Sequence, residues 1–422
     1  MWGHVRLVRM TSLSAGRSAD STLWKAHIAV EPLKLRAVGA DTWTMGSRKI
    51  RHMLLAVAAL AVVAGVVAIP HLTGRAEPVA PTAPPIPNAT LPVGTPAGAA
   101  EPAPEPATPP LQRLVPPAHG VLLGVSNPSI PREAGAVDDW TALHGVRPRI
   151  VNWFQQWLSG ETRFRADWAA RVAEQGAVPM ITWEPWSAPA GEKHNAEQPD
   201  VSLARIAAGD HDRYIRSFAD QVAAYRGPVL LRQMHEMNGH WFSWGTGVNG
   251  NTPADFVTAW RHVHRIFDQA GARNVSWVWS VNNLESPDAE ATIDALYPGG
   301  RWVDWVSTSG FNWGHAYSWS SWRTADQIYG DTYRALSRFG KPIMISEIGT
   351  TADGGDPRDW IVQSRGAIRA GFPLVRAVVW YDDIDGGGLD FRLQGPTTRA
   401  LASRAAIGDG WLREPDLRYV AP

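Results

Sequence analysis

The segment VLLRQMHEMNGHWFSWG, residues 229–245, joins a buried strand to a polar and aromatic loop. Its first residues, 229–231, are apolar, which is typical of a parallel strand that is covered on both faces. His235 and Glu236 follow within a few positions, and Trp241 and Trp244 come next. A strand that ends in a carboxylate, an imidazole and a tryptophan cluster is typical of a barrel mouth that holds a sugar. Taken alone, Glu236 is explained at least equally well by a core strand that continues into a polar loop without any catalytic role.

The segment KPIMISEIGT, residues 341–350, has the same form and favours the first interpretation. An apolar run at residues 343–345 is followed directly by Ser346 and Glu347. Two apolar strands therefore each end in one glutamate. The hydrolysis of a glycosidic bond requires two carboxyl groups that flank the bond.

The composition excludes several classes of function. The chain has 422 residues, a length that suits one α/β barrel with additional segments. Its formal net charge is zero, so nothing indicates a nucleic-acid partner. It has no cysteine, which excludes disulfides, thiolate metal sites and cysteine nucleophiles. Its 22 tryptophans either fill a large core or, where polar residues flank them as at Trp183 and Trp319, form surface platforms for sugar rings.

Three segments precede the predicted barrel. Residues 1–52 are basic, and Arg48, Lys49 and Arg51 stand directly before an apolar run. Residues 53–69, about 17 positions without a charge, predict a transmembrane signal-anchor that leaves the N-terminus in the cytoplasm. Residues 70–118 are rich in proline and alanine and predict an extended linker outside the membrane. A cleaved signal peptide, which would release a secreted protein, and a start at Met45 are alternatives.

Apolar strands alternate with helical patterns from residue 119 to residue 422. The predicted strands are residues 121–125, 149–153, 178–183, 229–234, 275–279, 303–307, 343–345 and 375–380. The predicted helices are residues 165–175, 210–225, 253–270, 287–296, 325–339, 357–370 and 397–406. Eight strands that alternate with helices over about 300 residues predict a (β/α)8 barrel of the TIM type.

The chemistry of such a barrel collects at the C-terminal ends of its strands. The side chains found there, from the third strand to the eighth, are Trp183, Glu184, His235, Glu236, Asn282, Phe311, Glu347, Trp380 and Asp382. Glu184 stands between two tryptophans and is either a site residue or a structural hydrogen-bond acceptor. A metal site is disfavoured, because His235 has no second histidine at ligand spacing and Asp382 begins a glycine-rich loop. We predict neither a metal nor a cofactor.

These motifs resemble glycoside hydrolase family 26, the β-mannanase family of the large barrel clan. The resemblance rests on HEMNGHWFSWG at residues 235–245, WVWSVN at 277–282 and SEIGT at 346–350, and it spans about residues 120–406. It implies that Glu236 is the acid/base and Glu347 the nucleophile. It also implies that His235 holds the sugar beside the cleaved bond, and that Trp241 and Trp380 flank that subsite.

One position departs from the family pattern. The family often has a tyrosine after the sixth strand that hydrogen-bonds the nucleophile, and this chain has Phe311 there. Tyr317 or another residue could take that role. Trp183, Asn282 and Phe311, which stand at strand ends, complete the predicted substrate-binding residues.

The sequence predicts a retaining, endo-acting hydrolase of β-1,4-mannan or glucomannan. Because the family also includes β-glucanases and β-xylanases, a β-glucan, a β-xylan or the cell's own exopolysaccharide is an alternative substrate. A catalytically inactive barrel that only binds polysaccharide is disfavoured, because both glutamates are present. The predicted partners are a polysaccharide and, through the anchor, a membrane; we expect a monomer whose catalytic domain is extracellular.

Overall fold

The computed structural model describes residues 110–422 apart from 159, 161, 188–195, 285–289 and 403–416. The predicted basic segment, the predicted anchor at residues 53–69 and most of the predicted linker lie outside the described residues. Within the described ranges, no helix has both the length and the apolar character needed to span a membrane.

Eight parallel strands close into a barrel, which confirms the predicted (β/α)8 barrel. The last barrel strand pairs with the first, so the sheet has no free edge. Across the described residues the strands are β1 (Arg113–Val115), β2 (Leu122–Ser126), β3 (Ile150–Gln156), β4 (Val178–Glu184), β5 (Val229–Gln233), β6 (Val275–Asn282), β7 (Trp305–Asn312), β8 (Ile343–Thr350), β9 (Val375–Tyr381) and β10 (Arg418–Val420). Strands β2 to β9 form the barrel in this order.

The side chains of the barrel strands alternate between two apolar layers. One layer fills the barrel interior and contains Leu122, Ile150, Val178, Met180, Leu230, Val278, Trp305, Met344, Ala377 and Val379. The other layer packs between the strands and the helices, and Val151, Ile181 and Leu231 belong to it. Because both faces are covered, the strands are apolar along much of their length.

Several strands extend beyond their predicted C-terminal ends, and the extension is greatest in β7 and β8. Strand β7 continues to Asn312 and β8 to Thr350, and the two remain paired from Ser309 opposite Glu347 to Asn312 opposite Thr350. The sequence analysis recognised strands by their apolar runs, so it ended β7 and β8 where their polar residues begin. The added lengths carry part of the candidate site.

The described helices surround the barrel. They are α1 (Ala136–His144), α2 (Ala166–Glu174), α3 (Leu203–Ala208), α4 (Asp212–Tyr225), α5 (Pro253–Gln269), α6 (Glu290–Leu296), α7 (Ala325–Ser337) and α8 (Pro357–Gly371). Helices α5 and α7 begin with capping boxes at Thr252 and Thr324, which satisfy backbone donors of the first turn. The sequence analysis missed α1 and α3.

The predicted closing helix at residues 397–406 is wrong in its described part. A short 3-10 helix, Gly395–Thr397, is followed by turns up to residue 402, and residues 403–416 lie outside the description. Arg399 has a φ of 78°, in the left-handed region, which an α-helix does not tolerate.

A small antiparallel sheet of β1 and β10 lies at the N-terminal end of the barrel. Arg113 forms an ion pair with Asp304, which directly precedes β7, and the backbone N–H of Gln112 donates to the carbonyl of Arg226 before β5 at 3.2 Å. Leu114 packs against the apolar barrel interior. The sheet therefore covers the end opposite to the two glutamates.

Candidate active site

A strained turn after β5 places Glu236 at the C-terminal end of the barrel. Met234 and Glu236 have φ values of 46° and 53°, a conformation that costs about 1–3 kcal/mol for each non-glycine residue. The turn is fixed by hydrogen bonds from Met234 N to the Trp183 carbonyl (3.1 Å) and from Glu236 N to the Ser280 carbonyl (2.7 Å). Such strain is typical of functional sites, where the surrounding structure imposes it.

Glu347 faces the barrel interior because β8 contains an irregularity. Thr308 pairs with Ile345, but the next residue of β7, Ser309, pairs with Glu347, so Ser346 is inserted in the ladder. The Ser346 hydroxyl shares a hydrogen bond of 3.0 Å with that of Ser280. A regular strand would alternate, so the insertion brings both Ser346 and Glu347 to the inner face.

A buried arginine connects the two glutamates. Arg232 is fully buried, and its Nη1 atom donates to Oε1 of Glu347. Its Nη2 atom donates to Ser309 Oγ at 3.4 Å, and the Ser309 hydroxyl donates to Oε1 of Glu236. Both carboxyl groups therefore belong to one hydrogen-bonded assembly, although they lie far apart in the sequence.

The same arginine also joins a polar layer that forms the floor of the site. Arg232 Nη1 donates to Thr182 Oγ1 at 3.2 Å, and Thr182 Oγ1 donates to Asn152 Oδ1 at 2.8 Å. Asn152 Nδ2 in turn donates to Ser126 Oγ at 3.0 Å. Side chains from β2 to β5 thus hold the guanidinium group in one orientation, above the apolar interior of the barrel.

Three buried carboxyl groups share this end of the barrel. Burial raises the pKa of Glu347 to about 7; the Arg232 guanidinium opposes the rise and the charge of Glu236 adds to it. Burial also raises the pKa of Glu184 to about 8, and the charge of Glu347 adds to that rise. Glu184 is therefore mostly protonated at neutral pH, and Glu347 titrates close to it.

His235 is a neutral imidazole. Burial and then the positive charge of Arg232 lower its pKa well below the ordinary value. Its Nε2 atom lies 4.0 Å from Glu184 Oε1. Its backbone carbonyl accepts a hydrogen bond of 2.5 Å from Trp244 Nε1, and its ring packs 4.6 Å from that of Phe242. The imidazole is thus positioned beside Glu184 and can exchange hydrogen bonds without carrying a charge.

Trp241 lies beside Glu236, as expected. Its Nε1 atom donates to Oε2 of Glu236 at 2.9 Å, and 36% of the residue is exposed. The indole lies directly over Gly239, where an added Cβ atom would come within 2.4 Å of the ring. Glycine is therefore required at this position for the indole to reach the carboxyl group.

Two other tryptophans lie outside the cleft, and their predicted role is corrected. Trp183 is fully buried and stacks on Phe218 of α4, with ring centroids 4.5 Å apart. Trp380 is 1% exposed and packs edge to face against Trp360 of α8. Both side chains point from the barrel strands toward the helices. Their neighbours Glu184 and Tyr381 occupy the alternate positions of the strands.

Beside the predicted Phe311, two aromatic rings that the sequence analysis did not select line the cleft. Phe154 at the end of β3 is 40% exposed, and its ring centroid lies 6.0 Å from that of His235 and 6.4 Å from that of Tyr381. Phe311 is half-buried and meets Tyr381 edge to face at 5.5 Å. No distinctive pattern marks Phe154 or Tyr381 in the sequence, whereas Arg232 was visible as a charge within an apolar strand.

The hydrogen-bond partner of Glu347 is Arg232 on β5, and Phe311 occupies the position at which the family resemblance suggested a tyrosine. Tyr317 stacks on Trp319 and does not belong to the hydrogen-bonded assembly of the two glutamates. Burial and then the charge of Glu347 raise the pKa of Tyr381, so this hydroxyl lies within electrostatic reach of the nucleophile candidate.

Asn282 is half-buried at the end of β6, and its backbone N–H and carbonyl are both hydrogen-bonded to the Asn238 side chain.

Two of the aspartates after β9 are engaged in contacts within the loop and with helix α1. Asp382 accepts hydrogen bonds from Trp140 Nε1 at 2.9 Å and from Leu393 N at 2.7 Å. Asp390 pairs with Arg392. Within the described ranges, no group of three His, Cys, Asp or Glu side chains is arranged to hold a metal ion.

Comparisons with known proteins agree with this geometry. The sequence profile of glycosyl hydrolase family 26 matches residues 195–375, which include both glutamates. Endoglucanase H of Acetivibrio thermocellus is 33% identical over 294 residues, 69% of this chain and 31% of that protein. Mannan endo-1,4-beta-mannosidase of Bacillus subtilis strain 168 is 27% identical over 164 residues, 37% of this chain and 40% of that protein. The chain thus spans less than half the length of either relative.

A solved structure is similar in fold. The modular endo-β-1,4-mannanase from Cellulomonas fimi superposes with a TM-score of 0.55 and 16% identity, over 72% of this chain and 75% of that chain. At this identity the similarity concerns the fold alone. The profile match and the similarity to endoglucanase H confirm the family that the motifs suggested, and the chain belongs to glycosyl hydrolase family 26.

Proposed function

We propose that the chain is a retaining, endo-acting glycoside hydrolase that cleaves β-1,4-mannan or glucomannan. One observation carries this proposal: the buried carboxyl groups of Glu236 and Glu347 are joined through Ser309 and Arg232 at the C-terminal end of the barrel. Two carboxyl groups with different environments are the requirement for acid-assisted cleavage of a glycosidic bond.

In the first step, Glu347 attacks the anomeric carbon and the bond to the leaving oxygen breaks. Glu236 gives its proton to that oxygen, and a glycosyl ester on Glu347 remains. In the second step, Glu236 takes a proton from water, the water oxygen attacks the anomeric carbon, and Glu347 leaves as a carboxylate. The Arg232 guanidinium stabilises the charge of Glu347 at the start and at the end of this cycle.

The lining of the cleft fits a neutral sugar chain. Trp241, Phe154, Phe311 and Tyr381 present aromatic rings, on which the apolar faces of sugar rings stack. Asn282 and the neutral His235 supply polar groups for hydroxyls. The name of the Bacillus subtilis relative, a mannan endo-1,4-beta-mannosidase, supports mannan as the substrate.

A β-glucan is the second candidate substrate. The relative that is 33% identical over 294 residues is named an endoglucanase, which favours this alternative. Both substrates are neutral β-linked chains, so the same two carboxyl groups would serve either one.

Assays of released reducing ends on mannan, glucomannan, mixed-linkage β-glucan and xylan test the proposal. We expect the greatest rate on mannan or glucomannan, a fall in viscosity that precedes most of the sugar release, and no activity in Glu347→Gln. Activity on β-glucan alone would move the assignment to the second candidate. Release of single sugars from chain ends, or no hydrolysis of any of the four polymers, would contradict an endo-acting hydrolase.

We further propose that residues 53–69 anchor the chain in a membrane and that the barrel acts outside the cell as a monomer. The uncharged segment and its basic flank support the anchor. We expect the full-length chain to sediment with membranes and to resist extraction by high salt. An N-terminus after residue 69 in the mature protein would show a cleaved signal, and a dimeric mass in detergent would contradict the monomer.

A further inference from the structure

The loop after β7 presents two stacked aromatic rings to solvent. Tyr317 and Trp319 have ring centroids 5.0 Å apart and planes only 8° from parallel. Trp319 is 66% exposed, the largest exposure among the large hydrophobic side chains of the described residues. Because the exposed indole is paired with a second ring, the two together offer an aromatic surface on which a ligand can stack.

Hydrogen bonds at both ends hold this loop in place. Asn312 Oδ1 accepts from Arg323 N at 2.9 Å, which joins the two ends of the loop. The Ser320 hydroxyl accepts from Tyr317 N at 3.0 Å and donates to the Tyr317 carbonyl at 3.1 Å. Because the backbone under the rings is fixed, a ligand would bind them without having to order the loop first.

The stacked pair continues an aromatic belt that begins at the candidate active site. Neighbouring ring centroids along the belt are between 5.2 and 6.4 Å apart. From the cleft outward, the belt consists of His235, Phe154, Tyr381, Phe311, Trp313 and Trp319. A chain bound at the two glutamates therefore has an uninterrupted aromatic path to the exposed indole.

We propose that Tyr317 and Trp319 form a distal subsite that stacks on a sugar ring of the polysaccharide, away from the bond that is cleaved. This subsite rests on the proposed function, because the same polymer must occupy the catalytic cleft. The flat pair matches the apolar face of a sugar ring, while the Tyr317 hydroxyl, beside Gly387 of the loop after β9, is placed for hydroxyl contacts.

A sugar chain suits this patch better than a protein partner does. The residues around the rings are polar, among them His315, Ser318 and Ser321, which are exposed. A stable protein interface buries about 800 Å² on each partner around an apolar centre, whereas a single line of rings that leads to the catalytic cleft matches a narrow, extended sugar chain.

Affinity electrophoresis of the full-length chain tests the subsite. All variants carry Glu347→Gln, so that the polymer in the gel is not cut during the run. The gels contain galactomannan, glucomannan or mixed-linkage β-glucan. We expect Trp319→Ala to weaken the apparent affinity for the retarding polymer by about two- to tenfold. The matched control is Tyr419→Ala, an aromatic residue that is 37% exposed on the sheet at the opposite end of the barrel and should leave retardation unchanged.

The outcomes separate the subsite from the proposed function. Equal retardation of Trp319→Ala and its parent would contradict the subsite, while hydrolysis by the wild-type chain would leave the function standing. A parent that no polymer retards, together with a wild-type chain that hydrolyses none, would overturn both. Equal losses in Trp319→Ala and Tyr419→Ala would also contradict the subsite. Circular dichroism and melting temperature check that the exposed substitutions leave the fold intact.

Discussion

Replacement of Arg232 with methionine should raise the pKa of Glu347. The guanidinium group donates to Oε1 of Glu347 and is the cause that holds the pKa of this buried carboxyl down to about 7. Methionine keeps an unbranched side chain in the barrel interior but removes the charge and the donors. The Glu347 carboxylate would then remain among Glu236 and Glu184 without its cation.

The size of this pKa shift follows from the electrostatic interaction between Arg232 and Glu347. Two unit charges about 4 Å apart interact by roughly 4 kcal/mol at an effective dielectric constant near 20, and one pKa unit corresponds to about 1.4 kcal/mol. Water entering the vacated space would offset part of this, so we expect a rise of at least about one unit. At pH 6 the ionised fraction of Glu347 would fall from about one tenth to about one hundredth.

The assay is the pH dependence of kcat/KM for a dinitrophenyl β-mannobioside. This leaving group needs little protonation, so the ascending limb reports the ionisation of the nucleophile in the free enzyme. We expect the limb near pH 7 in the wild type, at least one unit higher in Arg232→Met, and between the two in Arg232→Lys, which keeps a charge but not the planar fork. An ascending limb at the same pH in all three chains would refute the reasoning.

Three further outcomes are expected. Burial raises the pKa of Glu184 to about 8, so the stability that its protonated form contributes is present below about pH 4.5 and is lost as the pH rises through 8. The free energy of unfolding of Glu184→Gln should therefore exceed that of the wild type by up to about 5 kcal/mol at pH 9 and by little at pH 4. Denaturant unfolding at the two pH values measures this difference. Trp241→Phe removes the donor to Glu236 and should lower kcat by about ten- to a hundredfold with the ring retained, whereas an unchanged kcat would make that hydrogen bond irrelevant. Trp380→Ala should destabilise the fold by about 3–5 kcal/mol and leave KM unchanged, since its ring packs against helix α8; a raised KM would return it to the cleft.

The sequence predicted the barrel because apolar runs mark strands that are covered on both faces. It also selected Glu236 and Glu347 as candidates, since each follows such a run within a few positions. It could not show that Glu347 faces inward, because this orientation depends on the inserted Ser346 in the pairing of β7 with β8. An irregularity in strand pairing depends on the neighbouring strand and leaves no local pattern.

The choice between adjacent strand positions also required the structure. Trp183 and Trp380 lie among the helices, while their neighbours Glu184 and Tyr381 take the other face of the same strands. A strand that is buried on both faces lacks the apolar and polar alternation from which a face could be assigned. Only Arg232 carried a usable signal, because a charge within an apolar strand must find a partner in the interior.

The central claim is that Glu347 is the nucleophile and Glu236 the acid/base, and the configuration of azide products tests it most directly. With a dinitrophenyl β-mannobioside, Glu236→Ala should still form the glycosyl-enzyme, and azide, which needs no general base, should release it as the β-azide. Glu347→Ala should give the α-azide, because azide then attacks from the vacated face. The α-azide from Glu236→Ala together with the β-azide from Glu347→Ala would reverse the two roles and contradict the account.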